Sequence, residues 1–82
     1  MTTAYYISWQ VKKSNRVRAW YTSKEVDTEN EARAMYEKKM NDPKVITMYL
    51  WKKDTYKPAE LKNWPHSYDA NDFRALKTYT RI

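Results

Sequence analysis

Glycine and cysteine are both absent from these 82 residues. Each absence removes a chemistry. A Walker-type phosphate loop, a dinucleotide fingerprint and a nucleophile elbow all need glycine, because backbone must approach a ligand closely or take positive φ. Without cysteine there are no disulfide staples and no thiolate metal ligands, which fits a reducing cytoplasm. The single histidine, His66, has no second imidazole to join it, so neither a transition-metal centre nor a histidine-based catalytic pair is expected. No apolar run approaches the ~18 residues of a membrane span, and no apolar stretch follows the N-terminal Met-Thr-Thr, so neither a membrane partner nor a secretion signal is expected. Aliphatics are scarce as well. Leu, Ile, Val and Phe together number eleven, a proportion that accompanies disorder when charge is high.

Eight tyrosines and four tryptophans reverse that last inference. Each buries ~150–250 Å², so a few can replace several aliphatics in a small core. A single folded domain spanning 1–82 is expected. The chain carries net charge +6, distributed as +4 over residues 1–26, −2 over 27–43 and +4 over 44–82.

Residues 4–12 alternate with period two, placing Tyr5, Ile7, Trp9 and Val11 on one face and Tyr6, Ser8, Gln10 and Lys12 on the other. Residues 16–22 alternate likewise, so a hairpin is predicted. Parity favours a three-residue loop, Lys13-Ser14-Asn15, pairing Val11 with Val17 and Trp9 with Ala19, with Asn15 left-handed. Thr28 and Glu31 form a capping box opening a helix over 28–41, whose stripe is Ala32, Met35, Tyr36 and Met40. Asn41-Asp42-Pro43 stops it. Residues 44–53 predict a third strand, with Ile46, Met48 and Leu50 inward and Tyr49, Trp51 and Lys53 outward. After Asp54 the pattern predicts a short helical turn at Pro58, a second short helix over Asp69–Leu76, and either an edge strand or a tail over 78–82. The expected architecture is α+β: a three-stranded, possibly four-stranded, antiparallel sheet in ββαβ order, one long helix on one face and short C-terminal helices.

The helix stripe must cover the face of Ile7, Met48 and Leu50. The other face then holds Tyr6, Trp20, Tyr49 and Trp51 as stacking platforms, with Lys12, Arg16, Arg18 and Lys53 as phosphate partners. Aromatic rings between cations on an open sheet suit RNA or other single-stranded nucleic acid, since bases stack on rings and phosphates meet guanidinium and ammonium groups. With the acidic helix behind, the basic charge should lie in front. If about five phosphates are engaged, log affinity falls against log salt with a slope near −3.5, about 0.7 per phosphate. Two other uses of these residues stay open: the 55–82 segment covers the face as a minor core, or a protein partner docks there, since Trp, Tyr and Arg dominate interface hot spots.

No catalytic residue, metal site or cofactor is assigned. Asp69 and Asp72 read as helix caps rather than metal ligands, and Met35, Met40 and Met48 as core filler. Exposed sheet edges make a homodimer possible. The aromatic hairpin, the Thr-Glu-Asn-Glu-Ala helix start, the Asn-Asp-Pro-Lys-Val break and the third strand resemble small accessory proteins of tailed phages, host-takeover and anti-defence proteins among them. The resemblance covers residues 4–53. It implies a non-enzymatic binder in a bacterial cytoplasm, with RNA or a host defence protein as partner.

Overall fold

The alternating N-terminal segments form β1 (Thr2–Lys12) and β2 (Arg18–Thr22), the start of a four-stranded antiparallel sheet in the computed structural model, which describes residues 1–81. Then come α1 (Glu29–Met40), β3 (Val45–Tyr56), a 3-10 turn at Pro58–Glu60 and β4 (Ala70–Thr80). The fold is α+β with strand order β2-β1-β3-β4. No helix among the described residues is long and apolar enough to cross a membrane.

Thr28 caps α1 as its sequence predicts. Its hydroxyl accepts from the Glu31 amide at 3.2 Å and donates to the Glu31 carboxylate at 3.0 Å. Glu29 and Arg33 add an i,i+4 ion pair at 2.7 Å. The helix packs on β1 and β3. Between them lies the core: Ile7, Val26, Ala32, Tyr36, Val45, Met48 and Leu50. Val26 joins because a two-residue bridge with Tyr5 (2.8 and 2.9 Å) brings the chain back along β1 after β2 ends.

Among the described residues Tyr36 is the largest buried side chain, with the Lys77 ammonium 5.2 Å from its ring centroid, yet its hydroxyl has no hydrogen-bond partner there. Burial, with a smaller contribution from Tyr79, holds the phenol above its ordinary value. Tyr36→Phe removes the stranded polar atom and should raise stability by about 1 kcal/mol in urea denaturation. A raised phenol pKa stabilises fully below the unfolded value and loses that contribution as pH climbs through the folded one. Above about pH 10, therefore, the native chain should lose stability faster than Tyr36→Phe.

Three sequence expectations are corrected. The hairpin loop spans five residues, Lys13–Val17, and pairs Trp9 with Tyr21 and Val11 with Ala19. Parity is unchanged, so the faces survive, but the register moves by two. The Ser14 hydroxyl accepts from the Arg16 and Val17 amides at 3.4 and 3.2 Å, and Lys13 and Ser14 both donate to the Val17 carbonyl. That turn needs no left-handed residue: the one positive φ among the described residues is at Asn63. Val17 leaves the sheet and is 51% exposed.

At the start of β3, a bulge opposite Gln10–Val11 makes Ile46 the extra residue, so Val45 takes the buried position and Ile46 is half-buried. The largest correction concerns the C-terminal third, where β4 replaces the expected second short helix and the order is ββαββ. A bulge opposite Leu50–Trp51 makes Leu76 the extra residue. It resets the alternation, so Leu76 and Tyr79 both pack on the core. Phe73, Leu76 and Tyr79 thereby mimic a helical i, i+3 spacing inside a strand. Of the stretch read as an edge strand or tail, Thr78–Thr80 belong to β4, while Ile82 lies outside the described residues.

Candidate functional site

The face turned away from α1 carries one continuous row of rings. Trp20 on β2 stacks on Tyr49 of β3 with centroids 6.0 Å apart. Tyr49 meets Trp51 at 5.5 Å, and Trp51 stacks on Tyr6 of β1 at 6.4 Å. β1 lies between Trp20 and Tyr49, and its small Ser8, paired with Tyr49, leaves the space that lets those rings meet. The Ser8 hydroxyl also accepts from the Trp51 indole N–H at 2.9 Å, fixing that ring's orientation. Tyr49 and Trp51 each have neighbours on two sides. Open π-surface is greatest at the Trp20 end of the row, where that ring is 53% exposed, while Tyr49, Trp51 and Tyr6 are half-buried.

The cations divide into two groups. Lys12 and Arg18 are directly opposite in the β1–β2 register, and Arg16 projects from the adjoining loop; all three are exposed and form no ion pair among the described residues. Like charges face to face repel, and an anion between them relieves the repulsion. Lys53 lies at the far end, 2.8 Å from the Glu25 carboxylate. Beside that pair, Tyr6, Thr22, Ser23 and Phe73 complete a cleft of about 260 Å³. Burial holds the Tyr6 phenol above its ordinary value, with Lys53 opposing the shift and Glu25 adding to it.

All four aromatic residues named from the sequence therefore fall together, with Lys12 and Arg18 at one end, Lys53 at the other and Arg16 in the loop rather than on a strand. Phe73 is the residue sequence reasoning missed. It sits opposite Lys53 on this same face, 50% exposed. The alternation of Asn71, Phe73 and Ala75 was the available signal. The 55–81 segment leaves the row uncovered: β4 lies beside β3, and Trp64, His66 and Tyr68 pack on one another in the preceding loop.

Charge is arranged differently from the front-to-back polarity expected. Lys52 and Arg74 lie opposite each other on the helix side, and Lys77 sits over Tyr36 there too. The gradient runs instead along the strands. Lys12, Lys13, Arg16, Arg18, Lys44 and Arg81 gather where β1 ends and β3 begins, with Asp42 beside them. The opposite end is mixed in sign: Asp54, Asp72 and Glu60 lie there among Lys52, Lys53 and Arg74, and Glu60 is drawn to the N-terminal amine, which keeps its carboxyl below the usual range.

His66 stacks on Tyr68 with centroids 4.6 Å apart. No group of three or more His, Asp or Glu side chains suited to a metal ion occurs among the described residues. No protein-family model, curated protein or solved structure matches this chain.

Proposed function

We propose that the chain binds RNA or other single-stranded nucleic acid, without strong sequence preference, on the sheet face opposite α1. The observation that carries this reading is the uncovered row Trp20–Tyr49–Trp51–Tyr6, which ends beside Lys12, Arg16 and Arg18, none of them in an ion pair among the described residues. Bases stack against the open rings for about 1–3 kcal/mol each, a contact every base can make. The cations hold the phosphates, so the backbone runs toward the basic end of the sheet. Lys53 contributes only when a phosphate competes for it with Glu25.

Fluorescence anisotropy against single-stranded and duplex RNA and DNA, at several ionic strengths, tests the proposal. Single strands should bind more tightly than duplexes of equal length. The log–log salt slope should lie near −2 if Lys12, Arg16 and Arg18 act alone, and approach −3.5 if Lys13 and Lys44 join them, at about 0.7 per phosphate. A flat salt response, or a preference for duplex, overturns it.

One observation favours a second reading, an inhibitor or assembly factor docking a protein on this face. Phe73 is an exposed apolar ring beside the Glu25–Lys53 pair, a combination suited to an interface hot spot. The ultraviolet absorbance ratio of freshly purified protein separates the two: co-purified nucleic acid supports the first, and its absence with no oligonucleotide affinity supports the second.

A further inference from the structure

β4 is the long edge of the sheet, eleven residues with no strand on its outer side among the described residues, and such an edge is a template for another strand. Lys77 of this strand sits over the Tyr36 ring and Asp54 beside it on β3 accepts from the Thr3 hydroxyl at 2.6 Å, but the charges of Asp72 and Arg74 meet no opposite charge across the β3–β4 register. The register sets Arg74 opposite Lys52 and Asp72 opposite Asp54, two unfavourable like-charge pairs side by side on the helix side. None of these four side chains forms an ion pair among the described residues. On the open face between them stands Phe73, half exposed.

We propose that β4 pairs with β4 of a second copy, antiparallel about a two-fold axis through Phe73. Asp72 of each copy then faces Arg74 of the other, Phe73 meets Phe73, and Asn71 meets Ala75. The two like-charge pairs become ends of a continuous row in which Lys52 and Arg74 are answered by Asp72 and Asp54 of the second copy. Neighbouring registers fail. A one-residue slip sets open-face residues against helix-side residues. A two-residue slip sets Asp72 on Asp72 or Arg74 on Arg74. The bulge at Leu76 ends the regular stretch, which limits the pairing to Asn71–Ala75. The axis stands perpendicular to the sheet, so both aromatic rows point the same way on one eight-stranded surface.

Sedimentation equilibrium of nuclease-treated protein tests the dimer independently of any nucleic-acid affinity. A monomer–dimer equilibrium in the micromolar range is expected. Asp72→Arg and Arg74→Asp should each weaken it roughly tenfold or more, because both symmetry-related attractive pairs turn repulsive. Each single substitution also removes a like-charge pair inside the chain, so thermal stability of the monomer should hold or rise while the dimer weakens. The combined Asp72→Arg/Arg74→Asp swap should restore dimerisation to near the native value. A monomer at every concentration, a dimer indifferent to the single reversals, or a swap that fails to restore it overturns the proposal.

Discussion

The Arg16→Glu/Arg18→Glu double variant should bind single-stranded oligonucleotides about a hundredfold more weakly than the native chain at low salt. A unit charge near a phosphate at about 4 Å is worth roughly 1 kcal/mol in water, and reversal turns attraction into repulsion of similar size. Two reversals come to roughly 4 kcal/mol before screening, which mobile ions reduce toward about 2.7 kcal/mol, a factor of a hundred. Both arginines are exposed and form no ion pair among the described residues, so the fold should be unaffected. The salt slope should become shallower by about 1.4, reflecting two lost phosphate contacts. The loss should be uniform across sequences, because phosphates carry no sequence information. Anisotropy titrations of a uridine-rich and an adenosine-rich strand measure both features.

Trp20→Ala and Trp51→Ala should separate binding from folding. Trp20 sits on the edge strand with an open outer face and one ring neighbour. Its removal should cost about 1–3 kcal/mol of binding, five- to 150-fold, with little change in unfolding midpoint. Trp51 lies on a central strand, stacked on Tyr6, close to Tyr49 and anchored to Ser8. Aromatic contacts contribute about 0.5–1.5 kcal/mol each beyond area burial, so Trp51→Ala should lower stability by about 2–4 kcal/mol as well as weakening binding. Urea denaturation beside anisotropy on the same samples distinguishes the two patterns. Equal stability loss in both variants would contradict the placement of Trp20 as a free platform.

Strict local rules made the first two-thirds of the fold legible in the sequence. Period-two alternation sorted Tyr6, Trp20, Tyr49 and Trp51 onto one face, and a side chain's face depends on parity rather than on which partner it meets. The hairpin assignment could therefore be two residues out of register and still place the rings correctly. The C-terminal third was hidden by a bulge. One extra residue at Leu76 breaks the alternation mid-strand, and a strand so interrupted is indistinguishable from a short helix by spacing alone. With β4 misread, Phe73 was missed, and Arg74 and Lys77 could not be assigned to the helix side. The front-to-back polarity followed from the acidic net charge of residues 27–43 in the helix behind the sheet; Lys52 of β3, with Arg74 and Lys77 of β4, brings positive charge to that side as well, and the strand-wise gradient replaces it. The Lys53–Glu25 pair was likewise illegible, because 28 residues separate the partners and no local pattern joins them.

The four tryptophans occupy distinct environments, so their indole N–H resonances report independently on which surface a ligand touches. Trp20 and Trp51 lie in the open aromatic row. Trp9 is on the helix side between Tyr21 and the Lys39 ammonium, and Trp64 donates to the Tyr68 carbonyl in the loop before β4. Titrating a short single-stranded oligonucleotide into isotopically labelled protein should shift the Trp20 and Trp51 indole signals and leave those of Trp9 and Trp64 in place. Shifts at Trp9 or Trp64, with Trp20 and Trp51 unmoved, would contradict the account.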